Sequence, residues 1–162
     1  MSCRISSHRD LKPPTPSGCT WRRIIRQSRS RILNPRHRMI AMSATETHYR
    51  GLERMYHAAP INTLLESTLS VEKGSSTILS TVQPDYFHAA GSMHGCLYFK
   101  ALDDAAYFAA AGRNRSQFLV TTGFTTYITR AVSEGPLTTK GTLISAGKQL
   151  LVAEAVMYDH RG

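Results

Sequence analysis

The residues able to do chemistry crowd into the stretch 88–104, HAAGSMHGCLYFKALDD. It holds the imidazoles of His88 and His94, the thiol of Cys96 and the adjacent carboxylates of Asp103 and Asp104. His94-Gly95 opens a long apolar, Ala-rich run that reads as a helix over 94–111. The first turn of a helix carries backbone N–H groups with no intrahelical partner, at the positive end of the macrodipole. Such a turn can hold a developing oxyanion, and a glycine there lets a carbonyl approach the backbone closely. A carboxylate further along the helix can serve as general base or nucleophile.

Helix geometry separates the two aspartates. At about 100° per residue, Tyr98, Leu102, Ala105, Ala106 and Ala109 gather on one side, the face expected to bury. Asp104 falls nearly opposite, one turn from Lys100, as an exposed i,i+4 pair. Asp103 falls at the margin of the apolar stripe, where a carboxylate is partly desolvated, and is the candidate. Gly95 and Asp103 cannot serve one carbonyl within one chain. They lie roughly 12 Å apart along the axis, and reacting groups must sit about 3 Å from substrate. Two such helices packed antiparallel would bring Asp103 of one chain to Gly95 of another. The spacing therefore predicts a homodimer with its sites at the interface.

Other polar residues have plainer readings beside the chemical ones. Cys96 is either a nucleophile activated at a helix N-terminus or a small filler, and the filler is favoured. His94 reads as a residue that orients the loop and cap. Arg113 and Arg115 follow the helix and could meet phosphates, although a solvated loop explains them as well. His88, His94 and Asp103 do not make a recognisable ligand set, so neither a metal nor a cofactor is expected.

Around this helix, residues 47–60 read as a short helix capped by Thr45 or Thr47 and ended by Pro60. Residues 61–84 read as extended segments around a Lys73-Gly74 turn, and 84–93 as a loop. Residues 118–132, 135–147 and 148–160 read as strands. The outline is an α+β layer pair, one long helix against an antiparallel sheet.

The 162-residue chain is 41% hydrophobic and 19% charged, which suits one soluble domain. No apolar run approaches the roughly 18–20 residues that span a bilayer. The three cysteines have no paired spacing. The net charge of +9 is confined to residues 1–40, which hold ten Lys/Arg and one acid, while the remainder is neutral. Residues 1–41 are thus expected to be a basic, disordered leader, and 42–162 the domain. KPPTPSG (12–18) cannot be a regular element, whereas WRRIIRQSRSRI (21–32) could form an amphipathic helix. The leader has three readings: a mitochondrial presequence, an arm for nucleic acid or anionic membrane, and a tail that the domain does not need. Met39 and Met42 stand where the composition changes, which favours the last. The expected location is the cytoplasm, or the mitochondrion if the leader is a presequence, and nucleic acid is not the expected partner.

The run from Gly91 through His94-Gly95 to Leu102-Asp103, followed by LVTTGFTTYITRAVSEGPL (119–137), resembles the hotdog-fold acyl-CoA thioesterases of the PaaI-like branch. The resemblance covers about residues 48–160. That family carries an Asn six residues before a His-Gly-Gly and an Asp nine residues after the His, positions held here by His88, His94-Gly95-Cys96 and Asp103. The resemblance implies a metal-independent hydrolase that converts an acyl-CoA to free acid and CoA, working as a dimer or a dimer of dimers. It implies that the Gly95 N–H polarises the thioester carbonyl, with His88 as a second donor. Asp103 from the opposite chain would be base or nucleophile, and Thr121 would be the polar residue at the start of the next strand. His94, Cys96 and Arg113 are then expected along the bound substrate. The sequence departs from the pattern at His88, at Cys96, and at YDHRG (158–162), beyond which the family continues with one more strand. Alternatives are a hotdog module that binds acyl-CoA or a protein without turnover, and a hotdog hydroxyacyl dehydratase.

Overall fold

The computed structural model describes Ser2–Ser7 and residues 43–162. The 12–18 segment, the amphipathic 21–32 segment and the Met39–Met42 boundary lie outside the described residues.

Helix α1 (Ala44–Ala58) starts one cap earlier than expected, at Ser43, whose hydroxyl accepts from the Glu46 N–H at 3.1 Å. It stops before Pro60, which then occupies the first turn of the short α2 (Pro60–Thr63). Strands β2 (Thr68–Glu72) and β3 (Ser75–Thr81) form a hairpin about Lys73-Gly74, where Gly74 takes a φ of 70°. A single 3-10 turn (Pro84–Tyr86) leads to α3 (Gly95–Ala111), then β4 (Leu119–Thr125), β5 (Pro136–Ala146) and β6 (Leu150–Tyr158).

The strands make one six-stranded sheet whose hydrogen-bonded neighbours are all antiparallel. Its order is β2-β3-β5-β6-β1-β4, where β1 is Ser2–Ser7. Within the stretch read as a leader, Ser2–Ser7 forms an interior strand between β6 and β4. A charge tally over forty-odd positions averages away a six-residue segment whose SCRISS sequence carries a single cation. Beside β6 the ladder continues into β1.

Helix α3 lies on one face of this sheet. Tyr98, Leu102, Ala105, Ala106 and Ala109 are buried, as the wheel predicted, and the first four share a core with Val71, Ile78, Leu137, Leu151 and Ala155. The approach is close at Gly141 of β5, where a Cβ would stand 2.0 Å from the Ala105 carbonyl oxygen. That same carbonyl accepts from Ser76 Oγ of β3 at 2.6 Å. Helix and sheet are therefore pinned at one point by a missing side chain and a hydrogen bond, which fixes where the helix residues fall.

The segment 118–132, read as one strand, splits. Only Leu119–Thr125 pairs, and the chain then leaves the sheet to run past the start of α3. Backbone polar groups in that run need partners, and Val132 finds both of its own at the start of α3. The Val132 N–H donates to Tyr98 Oη at 2.9 Å, and the Val132 carbonyl accepts from the Met93 N–H at 2.8 Å.

Candidate active site at the start of the long helix

The loop 88–94 is a small, fully tied turn. The His88 N–H donates to the Ser92 carbonyl and the Gly91 N–H to the His88 carbonyl, each at 2.9 Å, with Gly91 at a φ of 77°. The His94 N–H donates to the Tyr86 carbonyl at 2.8 Å. His94 is the N-cap of α3, its Nδ1 accepting from the Cys96 N–H at 3.2 Å and lying 3.1 Å from Cys96 Sγ. The cap role expected for His94 is thus met, and Cys96 is exposed rather than a buried filler.

His88 is held on both ring nitrogens. Its Nδ1 accepts from the Ala90 N–H at 3.0 Å, and its Nε2 lies 2.9 Å from Ser92 Oγ. An accepting Nδ1 places the proton of the neutral ring on Nε2, which then donates to the serine oxygen. The serine hydroxyl proton is left to turn elsewhere. Ser92 had no signal in the sequence, since a serine in a turn is ordinary.

Gly95 is the first residue of α3, so its N–H has no intrahelical acceptor. It borders a cleft of about 270 Å³ lined also by His88, Ser92, Tyr98, Ile128 and Arg130. Tyr98, Ile128 and Arg130 also line an adjoining cleft of about 410 Å³, whose apolar walls include Leu102, Leu137, Ala155 and Met157. His94 and Cys96 face a different cleft, of about 660 Å³, beside Leu64, Tyr86, Phe87 and Leu97.

Asp103 sits half-buried in the middle of α3 and accepts from Thr121 Oγ1 of β4 at 2.9 Å. One turn on, the Tyr107 phenol is pushed up to about 12, by burial first and by the Asp103 charge as well, against a backbone hydrogen bond with Leu119. It stays protonated at any working pH. Sequence alone did not select Tyr107, which looked like part of the apolar run.

Asp104 corrects an expectation. It does pair with Lys100, but the side chains are only 17% and 22% exposed. Asn62 of α2 covers the pair and accepts from Lys100 Nζ at 2.6 Å, and the Tyr56 ring of α1 lies 5.7 Å from that ammonium. Burial raises the Asp104 carboxyl, the Lys100 hydrogen bond and charge pull it down, and the neighbouring Asp103 raises it again.

His88, His94, Gly95 and Cys96 therefore gather at the helix start, and Thr121 joins Asp103 at mid-helix. One chain does not bring the two groups together, because α3 itself holds them apart. Arg113 stands beyond the other end of α3, exposed, with Lys73 and Arg115 around a cleft of about 550 Å³. Among the described residues, no three His, Cys, Asp or Glu side chains gather as a metal site, and no helix is long and apolar enough to cross a membrane.

Residues 90–162 match the family model of the thioesterase superfamily. The structure is similar to that of the Escherichia coli PaaI protein from the phenylacetic acid degradation operon, with 17% identity, a TM-score of 0.59, and coverage of 72% of this chain and 96% of the other. Zebrafish thioesterase superfamily member 2 is similar with 14% identity and a TM-score of 0.60, over 70% of this chain and 88% of its own. A protein of Saccharolobus solfataricus named as a "putative esterase" is 29% identical over 89 residues, which are 55% of this chain and 59% of that relative. The chain thus spans less than two thirds of that curated relative. It is a hotdog-fold protein, and its residues 90–162, which hold Gly95, Asp103 and Thr121, match the family model of the thioesterase superfamily.

Proposed function

We propose that the chain is a metal-independent acyl-CoA thioesterase whose sites form between two copies of the domain. The observation that carries this reading is one helix with a bare N–H at Gly95 beside a cleft and a hydroxyl-held carboxylate at Asp103. The first suits an oxyanion and the second suits a base. In the antiparallel pair, the thioester carbonyl points its oxygen at the Gly95 N–H. Water adds to the carbonyl carbon and gives its proton to Asp103 of the partner subunit. The tetrahedral intermediate collapses with loss of the thiolate, which takes the proton back from that carboxyl. Thr121 keeps the carboxylate oriented by donating to one of its oxygens. Direct attack by Asp103 would instead break the C–S bond, expelling the thiolate and forming an anhydride with the acyl group; water then opens the anhydride to the free acid and Asp103, and its remaining proton goes to the thiolate.

The acyl chain has an apolar path from Gly95 through the clefts walled by Leu102, Leu137 and Met157. Arg113, Arg115 and Lys73 would serve the phosphates of CoA, since Arg113, just beyond the end of α3, follows Asp103 by ten residues, roughly 15 Å at helical rise. His88 would add a second donor to the carbonyl only by giving up its bond to Ser92.

The test is release of free thiol from short aliphatic, long aliphatic and aryl acyl-CoAs by the full chain. Asp103→Asn should abolish turnover and Asp104→Asn should keep it. A folded protein silent on every thioester that still binds acyl-CoA would instead be a binding module. The shared site has its own test. Inactive Asp103→Ala and Gly95→Pro chains, mixed and reassorted, should regain about a quarter of the sites, whereas a site built within one chain regains none.

A further inference from the structure

The catalytic carboxylate is held from a direction that composition hides. Thr121, the donor to Asp103, lies on β4, and among the described residues every ladder bond of β4 is made with Ser2–Ser7. β4 and β6 are not hydrogen-bonded to each other. The N-terminal segment stands between them, antiparallel to both, and its Ile5 is opposite Thr121 on one side and buried Leu151 on the other. Cys3 is likewise opposite Phe124 and buried Ala153. The β1–β4 register slips by one residue between Arg4 and Ile5, at Thr122, immediately beside Thr121. Such bulges re-aim the neighbouring side chain. Without β1, β4 would have no strand to pair with, and a lone strand does not hold its shape in water.

We propose that Ser2–Ser7 is a positioning strand for the reaction: it ties β4 to β6 and so holds the Thr121 hydroxyl on Asp103. The activity arm of this inference rests on the thioesterase reading, and the structural arm does not. The domain is then not 42–162 alone but includes the strand Ser2–Ser7.

Amide hydrogen exchange on the full chain reads the strand directly. Residues 3–6 should exchange at least about tenfold slower than in a free peptide of the same sequence. Ile5→Pro removes a ladder donor from the middle of the strand. It should release protection in residues 119–125 while β2, β3 and β5 stay protected, and lower kcat at least tenfold with KM within about threefold. Ile5→Val should leave all of these unchanged, and a peptide of residues 1–9 added to the Ile5→Pro chain should restore turnover. Free-peptide exchange at residues 3–6 of the parent chain overturns the proposal, whether or not any thioester is hydrolysed. So does Ile5→Pro with β4 still protected, or with protection lost across the whole sheet, which would make β1 a plain stabiliser. A parent chain protected at 3–6 but silent on every thioester would sink the thioesterase reading and leave the strand standing.

Discussion

Gly95→Pro separates the oxyanion donor from the fold, because the structure at this position already suits proline. Gly95 is the first helical residue, the position where proline's fixed φ and absent N–H do least harm. His94 before it sits at φ −68°, ψ 142°, the extended region that a residue preceding proline prefers. A Cβ at Gly95 meets only Ile128 Cδ1, at 3.6 Å, an ordinary contact. Stability should therefore change by no more than about 1 kcal/mol. What disappears is the one backbone N–H that Gly95 brings to the border of the cleft. Loss of one preorganised oxyanion donor costs about 10²–10³ in kcat, or about 2.7–4 kcal/mol of transition-state stabilisation. Since the interaction forms mainly in the transition state, KM should move little. Thiol release gives kcat and KM, and thermal unfolding gives the fold. Gly95→Ala is the control for bulk, keeping the N–H and adding the same Cβ. A Gly95→Pro protein that is folded and turns over at the parent rate would refute the assignment. Equal losses in the alanine and proline variants would say that space, not the N–H, is what Gly95 supplies.

Thr121→Val should lower kcat roughly ten- to a hundredfold, in line with the roughly 1.5–3 kcal/mol of a hydrogen bond to a charged group, and Thr121→Ser should recover most of it; a valine variant at parent kcat would remove Thr121 from the apparatus. Cys96→Ala should keep at least half of the parent turnover, measured by the same thiol assay corrected for protein thiol, and near-complete loss would favour a thiol nucleophile over Asp103. Asp104→Asn should turn over within about twofold of the parent while changing how stability depends on pH. Burial raises the Asp104 carboxyl above its ordinary 3.8, so the folded state holds that proton more tightly than the unfolded one. The parent's stability relative to Asp104→Asn should then be greatest at pH values below 3.8 and shrink as pH rises through the folded value; melting both proteins from pH 4 to 7 and finding the difference growing would contradict the sign.

What the sequence disclosed was whatever depends on one element at a time. The apolar stripe of α3 is a property of its own seventeen residues, so Tyr98, Leu102 and Ala105 could be placed on the buried face without knowing what buries them. The marginal position of Asp103 followed from the same wheel. The exposure of Asp104 did not, because Asn62 and Tyr56, which cover it, come from helices about forty residues earlier in the chain. The β2–β3 hairpin was legible from its Lys73-Gly74 turn, a local signal. The end of β4 at Thr125 was not, because β-branched residues continue beyond it and only the need to pass the start of α3 takes the chain out of the sheet.

The same division runs through the candidate site. Gly95 is supported mostly locally, by a cap and a turn within residues 86–96 that has one outside tie, from the Met93 N–H to the Val132 carbonyl. Asp103 is supported from a distance, through Thr121 and the strand that β4 pairs with. In an antiparallel pair each site would take its oxyanion donor from the local support of one chain and its carboxylate from the long-range support of the other. Damage to the 88–94 turn would then weaken the oxyanion side while the carboxylate side stayed intact, and damage to β1 or β4 would do the reverse. Mixing one chain of each kind would therefore leave half of the sites in every heterodimer whole. A site carried by one chain has no such complementarity, which is why the reassortment of chains tests the arrangement more sharply than either substitution tested alone.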